Sequence, residues 1–270
     1  MKSSFAAAIT ALSLCSFGAV VHAGQASAAA PQAAPVPARL PGNKPNWTGF
    51  WTPVGGLMDR NFGPGATAGP AGGGGPPPNR YPNPPLKSPY KERYDDLTKQ
   101  TAAGVVVNDT AAQCLPPGMP RMMGAIYGME ILQTPGVVAI TTEWGPGQRR
   151  ILTDGRPLPI LEEVLPTYAG YSTGRWEGDV FIVDTIGVRD DVLLNQAGLP
   201  NSGNMHIVER FYTSEPGILT IDMRLIDPQV FTEPWSSSRQ YRFRPDLVLQ
   251  EYVCLENNRN VGPNGAPVFQ

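Results

Sequence analysis

Histidine and cysteine are the scarce residues, two and three in 270. His22 and Cys15 fall within the first 23 residues, so the rest of the chain keeps only His206, Cys114 and Cys254. A single histidine, with no C-x-x-C and no H-E-x-x-H, leaves no basis for a zinc centre. No acidic loop has the spacing of a calcium-binding hand. A phosphate loop and a dinucleotide fingerprint are missing as well, so no metal site and no cofactor are expected. Charge is sparse: 16% of residues are charged and the net charge is −2, which excludes a broad electrostatic footprint for nucleic acid. Beyond the N-terminal run no apolar stretch is long enough to span a bilayer, so no stable membrane span is expected after processing. Strands do not alternate with long helices, which argues against a doubly wound fold.

Glycine and proline stand at 30 each and concentrate before residue 90. Lys2 followed by the apolar residues 5–21 and Val21-His22-Ala23 reads as an export signal cleaved before Gly24, giving residues 1–23 as leader. Ala-Ser-Ala at 26–28 is a second cleavage option. A transmembrane anchor is the competing reading, but the run is short and interrupted by Ser13 and Ser16. The expected location is periplasmic or secreted. Residues 24–45, rich in Ala and Pro, read as a linker. A β domain over 46–257 follows, with a Gly/Pro-rich insertion at 62–86 and a C-terminal tail at 258–270. In an oxidising compartment Cys114 and Cys254 are expected to pair, closing a long loop.

The organising stretch is Gly174 to Thr185, G-R-W-E-G-D-V-F-I-V-D-T. Glu177-Gly178-Asp179 is turn chemistry between strands at 172–176 and 180–186. The same grammar predicts strands at 46–52, 127–133, 137–144, 149–153, 205–212, 218–226, 239–244 and 247–255. Leu219, Ile221, Met223 and Leu225 share one face, and Thr220, Asp222 and Arg224 the other. Residues 90–100 are the one short helix, with Tyr94 and Leu97 on its apolar stripe. A Pro-rich crossing occupies 157–166. The fold class is mainly β: an antiparallel β-barrel of lipocalin-like type, with a β-sandwich as the alternative.

C-L-P-P-G-x-P at 114–120, E-I-L-Q-T-P at 130–135, D-G-R at 154–156, S-T-G-R-W-E-G-D at 172–179, E-R-F at 209–211 and D-P at 227–228 form an ordered set. Together they resemble a family of exported bacterial proteins, over roughly residues 46–257. The resemblance implies a secreted β domain and transfers no catalytic assignment. Gly49-Phe50-Trp51 is similar to the G-x-W signal near the first strand of lipocalin-like barrels.

His206 is the leading candidate for chemistry, because imidazole exchanges protons near neutral pH. Strand parity puts His206, Val208 and Arg210 on one face and Met205, Ile207, Glu209 and Phe211 on the other. Asp184 and Asp222 are the carboxylates best placed to orient the ring, with Asp227 as an outside choice. Arg156, Arg210 and Arg224 are candidates to hold an anionic group, and Trp176 to stack on a ligand; each has a plainer reading as a turn, surface or core residue. A buried Arg210 would need a partner on the next strand, for which Asp222 is the first choice. Gly170-Tyr171-Ser172-Thr173-Gly174 matches G-x-S-x-G, but a hairpin follows it where a nucleophile elbow needs a helix. The sequence therefore points to an exported barrel binding a small, partly apolar molecule. Two readings stand: a metal-free lyase or isomerase using His206, or a non-catalytic ligand-binding or structural envelope protein. Oligomeric state is left open.

Overall fold

Alternation of apolar and polar residues, broken by glycine turns, builds strand after strand along this chain and, among the described residues, leaves one α-helix. A computed structural model describes residues 39–54, 84–103, 113–125, 127–145, 147–195 and 198–254. The expected leader, most of the linker and of the Gly/Pro insertion, and the C-terminal tail lie outside the described residues. The strands are β1 (Gly49–Pro53), β2 (Met129–Thr134), β3 (Val137–Thr142), β4 (Gln148–Leu152), β5 (Tyr171–Glu177), β6 (Val180–Ile186), β7 (His206–Glu215), β8 (Ile218–Ile226) and β9 (Trp235–Phe243). The helix α1 spans Tyr90–Ala102.

The strands pair in chain order and β1 pairs with β9, so the sheet closes into a barrel. Eight seams are antiparallel. The seam between β4 and β5 is parallel, with Ile151 beside Ser172 and Leu152 beside Thr173. The barrel is thus mostly antiparallel, as expected, with one parallel seam. The Pro-rich crossing is the cause: it carries the chain back outside the wall to the end where β4 began, as a parallel pair requires. Of the strand expected at 247–255, the described residues 247–254 form none. Once β9 meets β1, the sheet has no edge left to accept it.

The barrel is filled. Leu219, Ile221, Met223 and Leu225 join Trp51, Ile131, Ile140, Ile151, Phe181 and Phe211 in one buried cluster. This assigns the apolar face of β8 to the interior. Near one end Trp47 packs against Trp176, Phe181 and Phe211, with ring centroids 5.2, 6.4 and 6.2 Å away. Gly174 makes room there, since a Cβ at that position would come within 2.3 Å of Phe181. Its neighbour in the hairpin, Gly178, turns β5 into β6 at φ 60°, a conformation that suits glycine.

Tyr90 and Tyr94 of α1 pack against the core, and Tyr94 Oη accepts a hydrogen bond from Asn195 Nδ2 at 3.0 Å. Val188, Val192, Leu199 and Met205 in the long β6–β7 connection are fully buried with them. Cys114 is bonded to Cys254, 140 residues away, fastening the loop before β2 to the chain that leaves β9.

Candidate functional site

Two polar constellations stand out, one on each side of the wall made by β4 to β7. The outer one contains His206. Its Nε2 lies 2.9 Å from Asp184 Oδ1, and Asp184 Oδ2 accepts from Arg175 Nη1 at 2.6 Å. Sheet register produces this. Asp184 stands opposite Thr173 on β5 and Val208 on β7, so Arg175 and His206 are its diagonal neighbours on the same face. Arg175 also pairs with Glu177 at 3.2 Å. Its hydrogen bond to Asp184, against a smaller effect of burial, raises its pKa above the usual arginine value. Side-chain exposure falls from 60% at Arg175 to 35% at His206 and 19% at Asp184, so the carboxylate is the sheltered member. Among the described residues no other hydrogen bond reaches the imidazole.

Asp184 is thus the carboxylate brought to His206. Asp222 stands opposite Arg210 and accepts a hydrogen bond from Ser238 Oγ at 2.6 Å. Asp227 is buried elsewhere and accepts from Ser202 N and Oγ at 2.9 and 2.8 Å and from Gln229 N at 3.2 Å. It clamps the loop that leads into His206. Arg210 and Arg224 are exposed on the outer wall, and the Arg210 stem stands beside the buried Ile182. Arg156 lies in the exposed turn after β4, bound to its neighbour Asp154 at 2.5 Å. Trp176 is occupied by Trp47 and Phe181, with Lys44 Nζ 5.8 Å from its ring.

The inner constellation was missed by sequence reasoning. Arg149 and Glu209 have fully buried side chains and form a bidentate pair: Nη1 donates to Oε1 at 3.0 Å and Nη2 to Oε2. Arg149 Nη2 also donates to Thr185 Oγ1 at 2.8 Å, and its Nε to Ser172 Oγ at 3.3 Å. Ser172 and Thr185 hydroxyls meet at 2.8 Å. Ser172, the centre of the G-x-S-x-G match, is therefore enclosed inside the barrel and committed to this network. Parity was the available signal. Glu209 shares its face with Ile207 and Phe211, and Arg149 shares its face with Ile151, so two opposite charges were directed into one core.

Surface clefts lie elsewhere. One of about 240 Å³ is lined by Pro116, Gly118, Met122, Gln148, Thr167 and Tyr168. Another of about 350 Å³ lies between the Pro-rich crossing and the start of β5, lined by Pro159, Glu163, Val164, Leu165, Gly170 and Tyr171. Among the described residues no group of His, Cys, Asp and Glu is arranged to hold a metal ion. Compared with family models, curated proteins and solved structures, the chain matches none.

Proposed function

We propose that the protein is an exported β-barrel that binds a small, partly apolar molecule on its outer wall and moves a proton on it with His206. The observation that carries this reading is the ordered chain His206–Asp184–Arg175. When the ring is neutral and donates Nε2–H to Asp184, the lone pair sits on Nδ1, which becomes the base. After it takes a proton, the same nitrogen is the acid that returns it. Arg175 holds the carboxylate in place. Arg224, opposite Val208 and diagonal to His206, is positioned to offset negative charge developing on the bound molecule. Proton transfer of this kind suits a lyase or an isomerase. Export is supported by the leader-like N-terminus and by the Cys114–Cys254 bridge, which fits an oxidising compartment.

A second reading is a non-catalytic ligand-binding or structural envelope protein. It is favoured by the filled interior and by the open position of His206, which excludes less water than an acid–base centre usually requires.

A ligand and substrate screen on wild type and on His206→Ala separates the two. Under the first reading the variant stays folded, and turnover of a substrate found with wild type drops about 10²–10⁴-fold. Unchanged turnover rejects His206 as the base. A molecule that binds both proteins and is converted by neither supports the second reading.

A further inference from the structure

The crossing between β4 and β5 carries apolar residues into water on a firmly held segment. Leu165 is 83% exposed and Ile160 62%. Prolines at 157, 159 and 166 restrict the backbone around them. Glu163 N bonds to Ile160 O and Thr167 N to Gly187 O, at 3.1 and 3.0 Å. Val164 rests on Gly187, where an added Cβ would come within 2.5 Å of its methyl. The segment is therefore pinned to the barrel with two large side chains facing outward. The segment itself walls much of the 350 Å³ cleft, through Pro159, Glu163, Val164 and Leu165, together with Gly170 and Tyr171. A protruding leucine next to an apolar cleft is half of a contact that completes itself when the surface meets its own copy.

The charges repeat the pattern. Glu162 and Glu163 are exposed, and their carboxylates make no hydrogen bond or ion pair among the described residues. Arg150 is also exposed, and it makes no hydrogen bond or ion pair among the described residues. The parallel register of Ile151 with Ser172 sets Arg150 beside Tyr171 on the outer face. An anion in the cleft wall and a cation beside Tyr171, another wall residue, are thus both without a partner among the described residues. A two-fold axis through such a surface brings each anion to the other copy's cation, the condition for a self-complementary interface.

We propose that the 157–166 segment is a homodimer interface in which Leu165 of each copy fills the 350 Å³ cleft of the other and Glu163 meets Arg150 across the two-fold axis. The interface is independent of whether His206 performs chemistry.

Sedimentation velocity over a micromolar concentration series tests it on the full chain after export. Wild type is expected to dimerise. Leu165→Glu is expected to be monomeric with an unchanged thermal melt. Glu163→Arg is expected to raise the dimer dissociation constant by about tenfold or more, and adding Arg150→Glu to that variant to restore it. The dimer is also expected to weaken with salt. A wild-type monomer at every concentration overturns the proposal, including one that instead co-sediments with phospholipid vesicles. So does a dimer that persists in Leu165→Glu. If the double charge reversal fails to recover association, the Glu163–Arg150 contact is rejected.

Discussion

Glu209→Ala is the most informative single change to the barrel core. It leaves the Arg149 guanidinium, fully buried, with only the hydroxyls of Ser172 and Thr185. At 3 Å and an effective dielectric of 20, the lost attraction is about 5 kcal/mol. Intact, the pair is close to neutral in net effect, because removing each ion from water costs several kcal/mol. Breaking it is different: one charge remains buried without its partner, and the expected loss is about 3–5 kcal/mol. For a domain of 150–250 residues each kcal/mol moves the melting temperature by about 2–4 °C, so a fall of roughly 6–20 °C is expected. Replacing both partners, Arg149→Met with Glu209→Leu, removes both desolvation costs and is expected to restore stability to within about 1–2 kcal/mol of wild type or above it. Urea unfolding followed by tryptophan fluorescence, with the disulfide intact, measures Glu209→Ala and the four corners of the cycle made by wild type, Arg149→Met, Glu209→Leu and the double variant. A Glu209→Ala protein within about 1 kcal/mol of wild type would refute the reasoning, as would a double variant no more stable than the singles.

Replacing Cys114 and Cys254 by serine is expected to cost about 2–5 kcal/mol, because the bridge spans a long loop; a denaturation midpoint that does not move on reduction would contradict this. The Tyr212 hydroxyl has its pKa raised, first by burial and then by the charge of Asp222. Folding therefore favours its neutral form: that contribution is complete below the unfolded tyrosine value of about 10 and is lost as pH rises through the folded value. Tyr212→Phe should flatten the alkaline end of a stability–pH profile, and Asp222→Asn should bring the phenol's titration partway back; equal alkaline profiles for wild type and Tyr212→Phe would count against it.

Much of the barrel is legible in sequence where turn chemistry and alternation agree. The strands 180–186 and 218–226 were predicted with the bounds they have, because Gly178 and Gly217 mark the turns and apolar residues occupy the interior-facing positions. The parallel seam is less visible, since local pattern describes a strand and not its neighbour. Residues 247–255 look like a strand by composition, and closure of the sheet decides otherwise. On the outer wall, face parity placed His206 with Arg210, but register alone chose Asp184 over Asp222. The Arg149–Glu209 pair escaped because charged residues read as surface until each is matched to the face it shares.

Closure through β1 and β9 has a consequence for the order of events as the chain is made. Trp51 must meet Phe243, so the first strand of the barrel waits for the last. Bringing these ends together carries a chain-closure entropy of roughly 4–5 kcal/mol if nothing between them is yet ordered. The hairpins β5–β6 and β7–β8 have two-residue connections and can form before that. The growing chain therefore carries an open sheet, with Phe50 and Trp51 uncovered on one margin, until residue 243 is available. Until its final strand arrives such a chain is an unlatched sheet, and only then does it become a barrel.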